Sequence, residues 1–240
     1  MKTYEIDHPH NEASALLGIQ NAELRRVRGW DVGFWIVSDE REAPKALAAL
    51  GRTAGGEWEV VPVKTSPGIR WTTKRCEDCE TLSRAGSHVY IFGSQFGTKS
   101  GPLEPKRHFM ARFNEALLEV TKKNIRADLD LVRRPFAIHR LVNDALREAR
   151  VALLPLGTKL HRDFVASARK KGRSEKKGWA PRLRGDDVPI NIEGSTFVDG
   201  GRLLFGLRYP VTAEGHPIVV EVEGIDRLFE RRAGPPAVIS

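Results

Sequence analysis

Cysteine is almost missing from this sequence, with two in 240 residues, and that excludes a disulfide framework. A reducing cytoplasm is the compartment expected of such a chain. No run of eighteen apolar residues occurs, so neither a transmembrane helix nor a membrane partner is expected. The first ten residues carry Glu5 and Asp7 and lack the basic, apolar, small-residue order of a secretory signal. Among catalytic patterns, the nucleophile elbow, the HExxH pair and the complete Gly-rich phosphate loop are all absent. Gly93-Ser-Gln-Phe-Gly97 lacks the third glycine and the Lys-Ser/Thr of a phosphate cradle and reads as a strand exit. Cys76-x-x-Cys79 is a single pair without the second pair that a structural zinc site needs, and reads as two reduced thiols.

What is present in excess is positive charge, +8 overall, but it is unevenly placed. Residues 169–184 hold eight cations (Arg169, Lys170, Lys171, Arg173, Lys176, Lys177, Arg182 and Arg184) against Glu175 alone. Outside that stretch, 31 basic residues face 30 acidic ones. The body of the protein is electrically balanced, and one segment carries the excess.

Short runs rich in β-branched and aromatic residues predict strands at Val32–Val37, Trp58–Val63, Val89–Phe92 and Phe109–Phe113. Ala43–Leu50 predicts a brief helix stopped by Gly51. In the middle of the chain, Ile138, Leu141, Val142, Ala145, Leu146 and Ala149 follow a helical period, with Arg140, Asn143, Asp144, Arg147 and Glu148 on the other face. A weaker helix is expected over 158–168, followed by the basic stretch as a mobile loop. Strand character returns at Ser195–Val198 and Arg202–Leu207 around the turn Asp199-Gly200-Gly201, and again at Pro217–Val222.

Glu80 through Gly93 aligns without gaps on Glu193 through Gly206, each a glutamate, a strand, a turn and an apolar strand closed by glycine. Stacking such hairpins radially makes a propeller. The residues that carry this repeat also resemble a known family. Asp78-Cys-Glu80, then Val89-Tyr-Ile-Phe-Gly-Ser-Gln-Phe-Gly-Thr-Lys99 and Arg107, is similar to the acid, strand, Gly-Ser, basic segment of a bacterial β-propeller-like family of unknown function. That family is itself similar to the esterase-like phytase group. Asn191-Ile-Glu193-Gly and Leu203-Leu-Phe-Gly206-Leu-Arg208-Tyr-Pro210 resemble its second hallmark, and Ser38-Asp39-Glu40 the end of its first strand pair.

The expectation is a single mainly β, propeller-like domain over 1–240 with a helical insertion over 135–187. At about 40 to 50 residues per blade there is room for about four blades. An incomplete propeller of that size exposes a sheet edge that a homo-oligomer or another partner would cover.

The candidate chemistry rests on acids and cations at equivalent repeat positions. Glu80 and Glu193, joined by Asp39 and Asp78, either hold a divalent cation such as Ca or Mg, or pin their turns by accepting backbone N–H bonds. Lys99, Arg107 and Arg208, with Ser94 beside them, either grip an anionic substrate or pair with the same glutamates. The resemblance implies a cytoplasmic hydrolase of phosphorylated or other anionic small molecules. Glu80 and Glu193 would be its catalytic acids, and the reaction a metal-dependent phosphoester hydrolysis. The other reading is a non-catalytic scaffold that binds a protein or nucleic acid through a propeller face and the basic loop. Lys170, Lys171, Arg173, Lys176 and Lys177 would then meet phosphates while Trp179 stacks on a base.

Overall fold

The computed structural model describes residues 13–230 and the pair 237–238; Glu5 and Asp7 lie outside them. The chain divides into two compact units, Met1–Phe92 with Ala111–Leu131, and Gly93–Met110 with Val132–Ser240.

The first unit is built on one curled sheet. In chain order its elements are β1 (Ala13–Gly18), α1 (Ala22–Arg28), β2 (Trp30–Ser38), α2 (Ala43–Ala46), β3 (Leu47–Thr53), β4 (Trp58–Trp71), β5 (Cys79–Ala85), β6 (His88–Gly93), β7 (Phe109–Asn114), β8 (Glu119–Val120) and β9 (Ile125–Arg133). Eight strands run in the order β1-β2-β3-β4-β9-β7-β6-β5, and β8 adds to β9. The joint is β4, which changes partner along its length. It pairs antiparallel with β3 from Trp58 to Pro62, then parallel with β9 from Val63 to Trp71. A strand that changes partner in this way turns a corner in a sheet.

The curled sheet comes back on itself. Arg84 of β5 donates to the Gly18 carbonyl of β1 at 2.8 Å, and Trp35 of β2 meets Phe113 of β7 edge-on at 5.2 Å across the interior. Small barrels fill their interior with side chains, and the fully buried Trp35, Val37, Leu47 and Ala49 do so here. Within that wall sits the carboxylate of Glu115, 3% exposed. It accepts from the backbone N–H groups of Gln20 and Asn21, from Trp35 Nε1 at 3.0 Å, and from Arg84 at 2.6 Å.

This near-closed barrel corrects the propeller expectation and, with it, the resemblance to the propeller-like family. The repeated hairpin β5–β6 is real as a hairpin. It continues into β7, β9 and β4 of the same sheet, however, and does not form part of a separate radial blade. Local repetition specifies the hairpin but not its neighbours. Ala43–Leu50 also differs from expectation: only Ala43–Ala46 is helical, because Leu47–Thr53 pairs with β2 on one side and β4 on the other.

The second unit holds helices α3 (Ala137–Glu148), α4 (Thr158–His161) and α5 (Ser167–Ser174), with a π-helical turn (Arg162–Ala166) joining the last two. A four-stranded sheet of β10 (Asn191–Val198), β11 (Arg202–Val211), β12 (Pro217–Glu223) and β13 (Ala237–Val238) follows in sequential order. The predicted hairpin is formed, with Gly200 at φ 79° and Gly201 at φ 75° in the turn. The predicted amphipathic helix is α3, and the predicted insertion over 135–187 is helical only in part, through α3, α4, the π-helical turn and α5. Where a mobile loop was expected, the helix continues through Ser174.

Candidate functional site

Helix α3 in the second unit buries a stripe that includes two polar residues. His139 and Asn143 lie between the apolar Ile138, Val142 and Leu146. Sequence periodicity puts Asn143 on the solvent face. The structure buries it because its amide pairs twice with one backbone unit: Oδ1 accepts from Val188 N–H at 2.8 Å and Nδ2 donates to Val188 O at 3.1 Å. Beside it, the fully buried Asp187 receives both its oxygens' contacts from Arg140 Nη1, at 2.6 and 2.8 Å, and accepts Arg184 N–H at 2.7 Å. The segment 187–188 is thereby clasped to α3 by two neighbouring side chains.

Two histidines complete this cluster. His139 Nε2 lies 3.6 Å from Asp187 Oδ2 and 3.4 Å from Asn143 Nδ2, and the His108 ring stands edge-on to it at 6.3 Å. Burial pushes the His108 imidazole well below its ordinary value, helped by His139 and by the charge of Arg133. Burial lowers His139 too, against the pull of Asp187. Burial acts to raise the Asp187 carboxyl, but hydrogen bonding from His139 and from Arg184 N–H outweighs it, so Asp187 stays an anion. Both rings are thus neutral at pH 7 and packed around Phe136, which holds a left-handed φ of 61° at the start of α3.

Phe136 links the cluster to the basic stretch. Its ring packs on Trp179 at 4.7 Å, in an apolar group with Leu103, Phe164, Val165, Ala168 and Leu183. Gly172 of α5 lies flush on the indole: a Cβ there would come within 2.4 Å of Trp179 Cζ3. One side of α5 is therefore packed, at Ala168 and Gly172, while Lys170, Lys171 and Arg173 are exposed on the other.

Of the eight cations of 169–184, Arg169 is half-buried and the other seven divide by role. Arg182 donates to Pro135 O at 2.7 Å and Arg184 pairs with Asp144 at 2.8 Å, so these two hold the fold. Lys177 pairs with Glu175 at 3.3 Å. Lys170, Lys171, Arg173 and Lys176 are exposed and make no ion pair among the described residues. Trp179, read from sequence as a base-stacking ring, is half-buried against Phe136 and Gly172.

The other sequence candidates are scattered. Glu193 is exposed and bound to Arg208 at 3.0 Å on the neighbouring strand, with Asn191 Nδ2 at 3.3 Å, which is the pairing that sequence had left open. Arg107 donates to Gly97 O at 2.7 Å, Ser94 is buried and accepts from Phe96 N–H at 3.1 Å, and Lys99 is exposed. Glu80 belongs to the first unit and Glu193 to the second. In the first unit Asp39 and Asp78 are joined through Asp78 N–H and Asp39 O at 3.1 Å. Burial raises the Cys79 thiol well above its usual range, and the charges of Asp78, Glu80 and Asp39 add to this. Both thiols are buried and form no disulfide.

These positions correct the metal and hydrolase readings. No group of three or more His, Cys, Asp or Glu able to hold a metal exists among the described residues, so the Ca or Mg site at Glu80, Glu193, Asp39 and Asp78 fails. A metal-dependent phosphoester hydrolysis loses its centre with it, and the binding scaffold loses its propeller face. Among the described residues no helix is long and apolar enough to cross a membrane. No family model, curated protein or solved structure matches this chain. The buried cluster itself was missed at the sequence level; its one legible trace is the polar pair His139 and Asn143, four apart on an otherwise apolar stripe.

Proposed function

We propose that the second unit binds the phosphate backbone of nucleic acid, without reading its sequence, through α5 and the turn that follows it. The observation that carries this reading is the set of four exposed cations that make no ion pair among the described residues: Lys170, Lys171 and Arg173 on a helix whose opposite side is packed on Trp179, and Lys176 in the turn that follows. A packed helix presents its cations in fixed register, so less side-chain and backbone freedom is lost on binding than from a loop. Phosphates then displace condensed counterions, which gives affinity without base contacts.

Fluorescence anisotropy with labelled oligonucleotide duplexes between 50 and 300 mM NaCl tests it. Four phosphate contacts give a slope of log K against log salt between about −3 and −4. The triple variant Lys170→Ala, Lys171→Ala, Arg173→Ala leaves one cation and flattens that slope to about −1. Wild-type protein that ignores duplex at 50 mM NaCl, or a folded triple variant that binds as wild type does, refutes the proposal.

A further inference from the structure

The outer wall of the first unit's sheet is unusual for its apolarity. Antiparallel sheets that face water on one side alternate apolar and polar residues, and the outward positions of β1 to β4 do not. The strand registers place Leu16, Ile36, Ala48 and Pro62 in one row across the four strands. The next row holds Phe34, Leu50 and Val60, and beyond it Trp58 stands opposite Arg52. The opposite face of the same strands is the barrel interior, with Trp35, Val37, Ala49 and Val61. Both faces of this part of the sheet are thus apolar, a pattern expected of strands covered on both sides.

Part of this outer face shields itself. Ile36, Ala48 and Leu50 are buried under Trp58 and Val60, and Phe34 stacks on Trp58 at 6.4 Å. The rest is open: Leu16 is 58% exposed and Pro62 is exposed. Among the described residues, charges on this face stand only at its two ends. At one end Arg41 and Lys45 overhang a shallow depression floored by Ala46, Ala48, Val60 and Pro62, and neither makes an ion pair among the described residues. At the other end are Asp31, bound to Arg52 at 2.8 Å, and the exposed Glu57.

We infer that this face is the interface of a homodimer, in which two copies pack the outer walls of β1 to β4 face to face about a two-fold axis running across the strands. Such an axis reverses the strand ends. Arg41 and Lys45 of one copy then meet Asp31 and Glu57 of the other, and the reciprocal contact forms at the far end, as isologous symmetry requires. Packing the sheets a normal inter-sheet distance apart covers the apolar rows without any rearrangement of either barrel. Four strands at normal spacing and about five residues of length give a patch of roughly 350 Å² per copy. That is about 700 Å² for the pair, below the size of a stable specific interface, so the dimer is a weak, transient one.

Sedimentation velocity of the full chain from 5 to 500 µM decides the matter, with the secondary structure of each variant checked by circular dichroism. Wild type is expected to pass from the monomer mass to twice that mass across this range. Val60→Glu, on the patch, holds the protein monomeric throughout. Lys45→Glu weakens self-association about tenfold, and adding Glu57→Lys to it restores wild-type behaviour. A wild type that stays monomeric at 500 µM overturns the inference. So does a dimer indifferent to Val60→Glu, or one that Lys45→Glu weakens and Glu57→Lys fails to rescue.

Discussion

Asp187 and Asn143 show how a few buried polar atoms organise the second unit. Neither belongs to a motif, yet both hold 187–188 against α3 through short, fully directed bonds. The neighbouring histidines give this region a pH signature whose sign follows from their lowered pKa values. The unfolded chain takes up their protons first, near the ordinary imidazole value of about 6.5, while the folded protein does so only at lower pH. Stability is therefore complete above about pH 6.5 and declines as the pH falls from there toward the folded-state values. Between pH 6.5 and 5 each histidine contributes a loss of at most about 2 kcal/mol. Urea titrations at pH 8, 6.5 and 5 should show that decline. His108→Phe, which keeps a ring against Phe136, should remove part of it; an unchanged pH dependence in that variant would mean that His108 does not contribute.

Helix α5 owes its existence to the contacts on its packed side. The segment has glycine in its interior and like charges along its surface, both unfavourable for an isolated helix, and on that ground it reads as a loop in sequence. Packing of Ala168 and Gly172 against Phe164 and Trp179 reverses the balance. Gly172→Ala tests this cleanly, because the two effects oppose each other. Alanine raises helix propensity by about 1 kcal/mol, whereas its methyl would overlap the indole and cost about 1 to 3 kcal/mol. A net loss of stability, with a shift in tryptophan emission, is expected in thermal melts; a rise in melting temperature would show that α5 is not seated on Trp179. Elements whose pattern agrees with their contacts were legible throughout: α3, β6, β7, the β10–β11 hairpin and β12 all stand within a few residues of where periodicity and turn chemistry put them. The strand β3 was not, since Leu47–Thr53 has no alternation of polar and apolar residues to separate it from the helical turn before it.

The first unit is closed by contacts that no local pattern records. Glu115 ties the segment after β1 to β2 and β5 through Gln20, Trp35 and Arg84, residues 95, 80 and 31 positions away. Removing its charge leaves the mostly buried Arg84 guanidinium without its anion, and Glu115→Gln is expected to cost about 3 kcal/mol in urea unfolding. A loss below about 1 kcal/mol would show that the seam is held by packing alone. The same long range explains why Glu80 and Glu193 look equivalent in sequence and are not in space. Their hairpins share a local code, but one joins an eight-stranded curled path and the other a four-stranded sheet.

The alternation of side chains, the turn glycines and the run of cations are properties of neighbouring residues, so the strands, the hairpins, α3 and the site of the excess charge were all readable along the chain. Which strand lies beside which depends on a balance of burial and hydrogen bonding between residues scores of positions apart. That balance is struck only in the folded molecule. It makes β4 change partners halfway along, nearly closes a sheet where a propeller was expected, and turns the first part of a basic loop into a helix with one face fixed and lysines outward.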